Sequence, residues 1–322
     1  MAADIAPMLA RLASDVPGDE QNWAFEYKWD GYRAVVYVEG GLRVMSRGGQ
    51  DYTRRFPELR GLAALGRRVV LDGEVIAVGG AGGSSFQRLQ QRSASGSDAE
   101  IARRAAAIPV GYMIFDLLRL DGRLTLSRPY VDRRARLESL GLDGPAWSVP
   151  PYQVGNGRAM LQQARQLQLE GVVAKRLQSR YVPGARTGDW LKIKLRNRQE
   201  FVIVGWTEGE GARAGQVGAL LVGYYDRPGG KLLYAGKVGT GFTTPTLQVL
   251  GEKLARLERA TSPTEDRRVP RRAHFVEPRL VCEVEFTEWT RDGTLRHPAF
   301  KGLRDDKDPH EVVREEAAGA SA

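Results

Sequence analysis

The stretch WAFEYKWDGYRAVVYVEGGLRVMS, residues 23–46, sets the character of the N-terminal half of the chain. Apolar and polar residues alternate over Trp23–Trp29 and again over Arg33–Ser46, and alternation with period two is typical of β-strands that bury one face. Gly40-Gly41 stands where a two-residue turn would join the two strands of a hairpin. The stretch therefore predicts one strand followed by a β-hairpin.

Lys28 occupies the end of the first of these strands, just before the turn residues Asp30-Gly31. Strand alternation sends Glu26 and Lys28 to one face and Phe25 and Tyr27 to the other. A lysine at such a position can be a nucleophile once its ammonium has lost a proton, and burial or neighbouring cations promote that loss. Taken alone, a Lys-x-Asp-Gly tetrad is most often a solvated turn, so this motif does not assign a function by itself.

Two further lysines supply the cations that such a nucleophile needs. In the stretch WLKIK, residues 190–194, alternation puts Lys192 and Lys194 together on the face opposite to Leu191 and Ile193. The sequence thus predicts a second strand with two cations on one face.

The rest of the first half alternates between strand and helix patterns. Further strands are predicted at Val69–Val78, with a break at Asp72-Gly73, and at Gly111–Leu118, Gly171–Lys175 and Trp190–Leu195, and helices at Asp132–Leu140 and Ala159–Leu169. These elements predict a mixed α and β domain over residues 1–198.

After about Arg198 the pattern changes to a series of short strands. The predicted elements are strands at Phe201–Trp206, Leu220–Tyr225 and Lys231–Val238, a helix at Pro245–Leu257 and a strand at Leu280–Glu288. The order β-β-β-α-β fits a five-stranded Greek-key barrel of the OB type, although other small barrels share this periodicity. We predict a second domain over residues 199–314 and a disordered tail over residues 315–322.

Length and composition agree with two folded domains, since the chain has 322 residues, of which 42% are hydrophobic and 27% charged. No stretch approaches the roughly 18 uninterrupted apolar residues of a membrane span, and the N-terminus lacks the pattern of a signal peptide. These features predict a cytosolic protein that does not enter a membrane. The single cysteine, Cys282, excludes an intramolecular disulfide, and no zinc-ligand spacing occurs.

The net charge of +9 and the isoelectric point near 9.7 indicate a polyanionic partner. Lysine and arginine side chains that neutralise phosphates release condensed counterions, so nucleic acid is the first candidate. A merely soluble basic protein is the alternative that composition leaves open, because net charge informs association and not fold. No Gly-x-x-x-x-Gly-Lys-Ser/Thr motif occurs, which excludes a P-loop enzyme.

Seven short motifs follow one another in an order that resembles the motif series of covalent nucleotidyltransferases, the family of polynucleotide ligases and RNA capping enzymes. They are Lys28-Trp-Asp-Gly-Tyr-Arg33, Ser46-Arg47-Gly48, Leu71-Asp-Gly-Glu74, Phe115-Asp-Leu117, Glu170-Gly-Val-Val-Ala-Lys175, Trp190-Leu-Lys-Ile-Lys194 and Arg304-Asp-Asp-Lys307. Within this family the chain most resembles the ATP-dependent DNA ligases of bacterial end joining, either the ligase module of LigD or a stand-alone relative. The resemblance covers about Pro7–Val313. It implies an α+β fold, in which a nucleotidyltransferase (adenylation) domain with antiparallel sheets and flanking helices precedes a C-terminal OB-fold β-barrel.

The resemblance also implies roles for the charged residues of these motifs. Lys28 matches the lysine that attacks the α-phosphate of ATP and carries AMP as a phosphoramidate. Lys192 and Lys194 match the pair that binds this phosphate and stabilises charge on the transferring group. Glu74 and Glu170 offer carboxylate oxygens to Mg²⁺ or Mn²⁺, and Glu74 is also a candidate for the ribose hydroxyls.

Five more residues are implied to bind the nucleotide. Phe115 matches the ring that stacks on adenine, and Val173 would close the opposite face of the base. Glu26 and the adjacent backbone are candidates for the adenine amino group, and Arg33 and Arg47 for the ribose or the nick phosphate. Without the motif series Phe115 would be a core residue, so these assignments depend on the joint placement of the motifs.

Near the C-terminus, Arg304-Asp-Asp-Lys307 resembles the motif by which an OB domain swings over the nucleotide and orients the pyrophosphate leaving group. Arg296–Lys301 adds basic and aromatic groups that are candidates for contact with a DNA backbone. The implied substrate is nicked double-stranded DNA, and a Ku-like end-binding protein is an implied partner. We expect the chain to act as a monomer in the bacterial cytosol or nucleoid.

Alternatives remain beside DNA ligation. An RNA ligase, or a capping guanylyltransferase that uses GTP, shares the lysine chemistry, and the pocket does not reveal whether the acceptor strand is DNA or RNA. A non-catalytic OB protein that binds nucleic acid is the alternative of another class. It is disfavoured because Lys28, Glu74, Glu170, Lys192 and Lys194 are all present. The preferred metal, and whether the chain is a stand-alone enzyme or an excised module, stay open.

Overall fold

The structure, a computed structural model, describes residues 4–78, 86–209, 211, 215–270 and 272–315. The chain divides into two compact units, the first ending at Leu195 and the second spanning Arg196–Glu315. From residue 316 onward the predicted tail lies outside the described residues. Within the described ranges, every helix is too short or too polar to cross a membrane.

The first unit alternates strands with helices. Its strands are β1 Arg11–Ala13, β2 Trp23–Lys28, β3 Tyr32–Val38, β4 Leu42–Ser46, β5 Val69–Ala77, β6 Val110–Leu120, β7 Arg123–Leu124, β8 Trp147–Ser148, β9 Gln153–Val154, β10 Gly171–Arg176 and β11 Trp190–Lys194. Its helices are α1 Phe86–Ser93, α2 Asp98–Ala107, α3 Tyr130–Ser139 and α4 Gly157–Gln166, with 3₁₀-helices at Glu20–Asn22 and Pro57–Leu65. The strands and the two helices predicted for this half are confirmed. Helices α1 and α2 were not predicted, and α2 buries only Ile101, which leaves no helical apolar period to detect.

One sheet of this unit has the order β4-β3-β5-β6-β7, with β8 beside β6. Its pairings β3 with β4, β3 with β5 and β5 with β6 are antiparallel. One face packs into a core that includes Tyr32, Val36, Leu71, Tyr112 and Phe86. The other face packs into a smaller core that contains Met8, Val35, Tyr37, Val70, Leu118, Tyr181 and Trp190.

The other sheet has the order β1-β11-β10-β2-β9. Strand β1 runs parallel to β11, and the remaining pairs are antiparallel. Its apolar face packs against α4 in a core of Val16, Trp23, Phe25, Met160, Ala164, Val172, Ala174 and Ile193. This confirms the predicted separation of apolar and charged side chains in β2 and β11.

Two local predictions were wrong. Val38 pairs with Leu42, so the hairpin loop has three residues rather than two, and Gly40 takes the left-handed φ of +81° that loops of this length commonly contain. Strand β5 also runs on through Asp72-Gly73 without a break. A bulge against β6 at this point absorbs the irregularity, which alternation within one strand cannot reveal.

The second unit is built mainly of strands. They are β12 Asn197–Glu208, β13 Val217–Tyr225, β14 Leu232–Val238, β15 Glu258–Arg259, β16 His274–Val276, β17 Val281–Phe286, β18 Glu288–Trp289, β19 Leu295–Arg296 and β20 Ala299–Leu303. The long helix is α5 Thr244–Ala255, and a 3₁₀-helix covers Pro309–Glu311. Strands β14, β13, β12, β17 and β20 pair in that order, and a bridge between Thr240 and Ala299 closes the ring. The result is a five-stranded barrel of the predicted OB type.

The fifth barrel strand, β20, is absent from the predicted order β-β-β-α-β. It overlaps Arg296–Lys301, where the sequence indicated a DNA contact. Phe300 is 2% exposed and belongs to the barrel core, so its ring is a packing group and not a DNA contact. Five residues with alternating burial give too short a pattern to separate a strand from a basic loop.

Candidate active site

Five charged residues of β2, β10 and β11 share one face of their sheet, namely Glu26, Lys28, Lys175, Lys192 and Lys194. Residues directly opposite in antiparallel strands lie on the same face, with Cβ atoms about 5 Å apart. Two rows cross the three strands, Glu26 with Val173 and Lys192 in one row, and Lys28 with Gly171 and Lys194 in the other. The predicted nucleophile and the predicted pair of phosphate-binding lysines are therefore brought together.

Gly171 stands between Lys28 and Lys194 in the second row. Its φ is +151°, and a Cβ there would lie 2.0 Å from the backbone oxygen of Ile193. A larger residue is therefore incompatible with this backbone. Consequently no side chain separates the two lysines within their row.

Lys28 forms a salt bridge with Glu170, the residue that precedes β10. The side chains are 22% and 8% exposed, and the Glu170 backbone oxygen accepts a hydrogen bond from Leu195 N at 2.9 Å. Because an ammonium has no lone pair, Lys28 must lose a proton and separate from this carboxylate before it can attack an electrophile.

Lys175 was not among the predicted site residues, although it closes the motif that begins at Glu170. It lies on the same face as Gly171 and Val173, is 1% exposed, and contacts Glu26 at 2.8 Å. Its Nζ lies 4.3 Å from the ring centres of both Phe115 and Trp190. Burial lowers the pKa of Lys175, and the charge of Glu26 opposes this shift. Period-two alternation from Gly171 was the signal in the sequence that placed Lys175 on the site face. The burial of Lys175 depends on the tertiary structure and could not be predicted from that alternation.

Glu26 is the anionic centre of this part of the site. The hydroxyl of Tyr130 donates to its Oε1, and Arg134 NH1 lies 3.7 Å from the same oxygen. Both residues are on α3 and almost fully buried. The side chain predicted to read an adenine amino group thus already accepts hydrogen bonds from Lys175 and Tyr130.

Arg33 and Phe115 form a second group on the neighbouring sheet. Arg33 donates from Nε and NH2 to the two carboxylate oxygens of Asp72, each at 2.6 Å. Its guanidinium carbon lies 4.5 Å from the centre of the Phe115 ring. Burial opposes the charge of Arg33, but Asp72 outweighs it and raises the pKa of Arg33. The ring predicted to stack on adenine is therefore flanked by two cations, Arg33 and Lys175.

Glu74 and Arg47 lie beside Arg33. Glu74 is the cross-strand partner of Arg33 on β5, and Arg47 N donates to the Arg33 backbone oxygen at 3.2 Å. All three are partly exposed to solvent. The structure thus gathers the three residues that the sequence predicted to hold the sugar, the metal or the nick phosphate.

Arg304 and Lys307 belong to an ion-pair cluster in the second unit. Arg304 donates from Nε and NH2 to both oxygens of Asp306 at 2.8 Å, and its NH1 lies 3.1 Å from Glu283. Lys307 lies 2.7 Å from Glu200. Burial opposes the ionisation of Asp306, yet the charge of Arg304 outweighs it and lowers the pKa of Asp306.

The described residues contain no group of three or more His, Cys, Asp or Glu side chains that could hold a metal ion. Of the two predicted ligands, Glu74 lies on β5, whereas Glu170 immediately precedes β10 of the other sheet. This donor set fits Mg²⁺ or Mn²⁺ only where substrate phosphates and water complete the coordination, as is common for Mg²⁺.

Comparison with known protein families covers both units. Residues 7–194 match the family described as ATP dependent DNA ligase domain, and residues 213–307 match the ATP dependent DNA ligase C terminal region. The first match spans more than half of the chain. It contains the sheet face around Lys28, and the second match contains Arg304 and Lys307.

Two curated relatives are similar over almost the whole chain. The multifunctional non-homologous end joining protein LigD of Mycolicibacterium smegmatis is 42% identical over 318 residues, which cover 97% of this chain and 40% of that protein. The LigD protein of Pseudomonas aeruginosa is 40% identical over 324 residues, which cover 98% of this chain and 37% of that protein. The chain thus spans about 40% of the length of these relatives.

A solved structure is also similar to this chain. It is described as mycobacterial DNA ligase D complexed with ATP and MES, and it is 42% identical with a TM-score of 0.69. The alignment covers 97% of this chain and 98% of that one.

Proposed function

The chain belongs to the ATP-dependent DNA ligases, and we propose on that premise that it joins 5′-phosphate and 3′-hydroxyl ends at nicks in double-stranded DNA through an AMP carried by Lys28. The observation that carries this proposal is the row of Lys28, Gly171 and Lys194 across three adjacent strands. The row sets an amine and a second cation on one face without a side chain between them. A triphosphate bound there would meet both a nucleophile and a group that stabilises its charge.

In the first step the Lys28 amine attacks the α-phosphorus of ATP. A P–N bond forms, the bond from the α-phosphorus to the bridging oxygen breaks, and pyrophosphate leaves. The amine first gives up its proton and separates from Glu170. Lys192 and Lys194 stabilise the negative charge on the phosphoryl group during transfer.

The next two steps use the same kind of displacement at phosphorus. A 5′-phosphate oxygen at the nick attacks the α-phosphorus, the P–N bond breaks, and Lys28 recovers its amine. The 3′-hydroxyl then attacks the 5′-phosphate and releases AMP. Positioning and electrostatic stabilisation supply most of the acceleration in such transfers, which suits a cationic sheet face.

The other predicted residues surround this centre. Phe115 and Val173 would bound the adenine, with Glu26 and the adjacent backbone at its amino group. Arg33 and Arg47 would contact the ribose or the nick phosphate, and they are adjacent through the Arg47 N to Arg33 O hydrogen bond. An adenine bound there would have to displace contacts that Lys175 now makes with Phe115 and Glu26.

Mg²⁺ or Mn²⁺ would be held by Glu170 and Glu74 together with substrate phosphates. A bound ion would neutralise part of the negative charge on the substrate phosphates. Glu170 would then be both a metal ligand and the salt-bridge partner of Lys28.

Arg304 and Lys307 would contact the pyrophosphate leaving group during the first step. Their present partners, Asp306, Glu283 and Glu200, show how strongly this cluster attracts opposite charge. A pyrophosphate would compete with those carboxylates for the two cations.

A role in the joining of broken DNA ends is proposed from the names of the two LigD relatives. A Ku-like end-binding protein is the corresponding partner. Sealing of nicked and of broken duplexes should be measured with and without Ku, and an equal rate in both cases would remove the partner from this proposal.

The lysine assignment is tested by mass spectrometry after incubation with ATP and Mg²⁺ or Mn²⁺. The wild type should gain one AMP, and Lys28→Ala should gain none. Lys28→Arg is the sharper variant, because arginine keeps the pairing with Glu170 but stays protonated and cannot attack. Lys253→Ala, an exposed lysine on α5, is the matched control and should label normally. Labelling by GTP instead of ATP would favour the capping alternative.

A further inference from the structure

We propose that Tyr181 is a positioning residue for Arg33, acting through Asp72, and that its hydroxyl couples residues 4–13, the N-terminal segment, to the site. The inference rests on the proposed function, in which Arg33 contacts the ribose or the nick phosphate. Tyr181 lies between the last two motifs of the first unit and belongs to none of them.

The Tyr181 hydroxyl makes two hydrogen bonds inside the protein. It donates to Asp72 Oδ2 at 2.6 Å and accepts from Met8 N at 2.9 Å. The side chain is 2% exposed, and its ring packs almost at right angles to the ring of Trp190 at a centroid distance of 5.6 Å. Burial raises the pKa of Tyr181 well above its ordinary value, and Asp72 adds to this shift. The hydroxyl therefore keeps its proton at neutral pH and can donate it to Asp72.

Asp72 is the group through which Tyr181 acts. The carboxylate is fully buried, and its two oxygens hold the planar guanidinium of Arg33 in a bidentate pair. Such a fork fixes the plane of the arginine as well as its position. Because Tyr181 donates to one of the same oxygens, it restricts rotation of the carboxylate and so the direction of Arg33.

The N-terminal segment completes a closed cycle of hydrogen bonds. Met8 is fully buried, its N donates to Tyr181, and its O accepts from Arg33 NH2 at 3.4 Å. The same segment continues as β1, which pairs with the strand that carries Lys192 and Lys194. Arg33 is thus held by Asp72 on one side and by the Met8 backbone on the other, and Tyr181 joins these two supports.

Tyr37 provides a closely matched control. Its hydroxyl accepts from Ile5 N at 2.7 Å, so it also anchors the N-terminal segment, and it is 3% exposed in the same core as Tyr181. Within the described ranges Tyr37 makes no hydrogen bond to Asp72. Tyr37→Phe therefore removes a comparable anchor, whereas Tyr181→Phe removes an anchor and the support of Arg33.

The experiment measures kcat and KM for ATP in lysine adenylylation by the full chain, and the rate of sealing of a pre-adenylylated nick. Tyr181→Phe should lower kcat/KM for ATP, or the sealing rate, by about tenfold or more, since small misplacements of a binding group are costly. Tyr37→Phe should stay within about twofold of wild type, with a similar change in Tm. Equal activities for Tyr181→Phe and Tyr37→Phe would overturn the proposal.

A second comparison asks whether the effect passes through Arg33. In an Arg33→Lys background the bidentate fork is absent, so Tyr181→Phe should add less than about twofold. A full additional tenfold loss there would also overturn the proposal. If the wild type takes no AMP, the proposed function fails first; if it takes AMP and the two tyrosine variants behave alike, only the role of Tyr181 fails.

Discussion

The sheet face around Lys28 and the barrel cluster around Arg304 hold their cations in opposite ways. Within the described part of the chain, Lys28 pairs with one carboxylate, that of Glu170, and keeps 22% of its side chain exposed. Arg304 is 10% exposed and faces three carboxylates, of which Asp306 binds it with both oxygens. Lys28 can be released by breaking its salt bridge with Glu170. Release of Arg304 requires several ion pairs to break.

If Lys28 is the nucleophile, as proposed, this difference separates a group that must react from a cluster that also holds the barrel together. A nucleophile has to become neutral and mobile, so a single, partly solvated salt bridge suits Lys28. A buried ion pair loses much more when one partner is removed, because the remaining charge stays desolvated. If Arg304 and Lys307 act on the leaving group as proposed, part of the barrel cluster must open at that step.

The largest expected effect is on activity and comes from Lys194→Ala. Removal of one group that stabilises the transferring phosphate should lower the rate of lysine adenylylation by about 10²- to 10³-fold. The rate is measured by single-turnover transfer of labelled AMP from ATP. Lys237→Ala, an exposed strand lysine of the second unit, is the control and should react at the wild-type rate. A loss below fivefold for Lys194→Ala would mean that the sheet face is not the reacting region.

The next effect is on stability and comes from Asp306→Ala. Loss of the bidentate partner leaves Arg304 buried with fewer counter-charges, and we expect a decrease of about 2–3 kcal/mol in the free energy of unfolding. Urea unfolding of the full chain is the measurement. Glu288→Ala removes one partner of the exposed pair with Arg296 and should cost less than about 1 kcal/mol. Equal losses would show that the cluster is no stronger than a surface pair.

Glu170→Gln should have a smaller effect on stability than Asp306→Ala. We expect a loss of about 1 kcal/mol, because Lys28 retains access to water when its partner becomes neutral. The same variant should slow adenylylation, since Glu170 is also a proposed metal ligand. Unfolding and adenylylation are measured on one preparation. A stability loss as large as that of Asp306→Ala would contradict the contrast between the two regions.

The smallest effect is a pH dependence of the barrel. The pKa of Asp306 is lowered from its ordinary value of 3.8, so the folded state binds the proton less readily than the unfolded state. Its contribution to stability is therefore fully present above pH 3.8 and is lost as the pH falls through the lower folded pKa. Unfolding free energies at pH 5 and at about pH 3 should differ less in Asp306→Asn than in the wild type. An unchanged difference would remove Asp306 from the acid response.

Much of the fold could be predicted because its strands carry clear apolar patterns. Alternation indicated β2 and β11, whose apolar side chains pack on the α4 side of their sheet, whereas β5 and β6 are short apolar runs that are buried on both faces. The pattern could not show β20, whose five residues are few, or the parallel pairing of β1 with β11. Pairing joins segments that are distant in sequence, and alternation within one strand carries no information on its neighbour.

The sequence by itself determined which side chains share a face, including Glu26 with Lys28 and Lys192 with Lys194. Local backbone geometry fixes that property, because successive side chains of a strand point to opposite sides. Only the tertiary structure decided that Lys28 pairs with Glu170, that Lys175 is buried against Glu26, and that Tyr181 supports Asp72. These contacts join residues more than 100 positions apart, and the charges, exposures and pKa shifts that follow from them depend on how the sheets and helices pack.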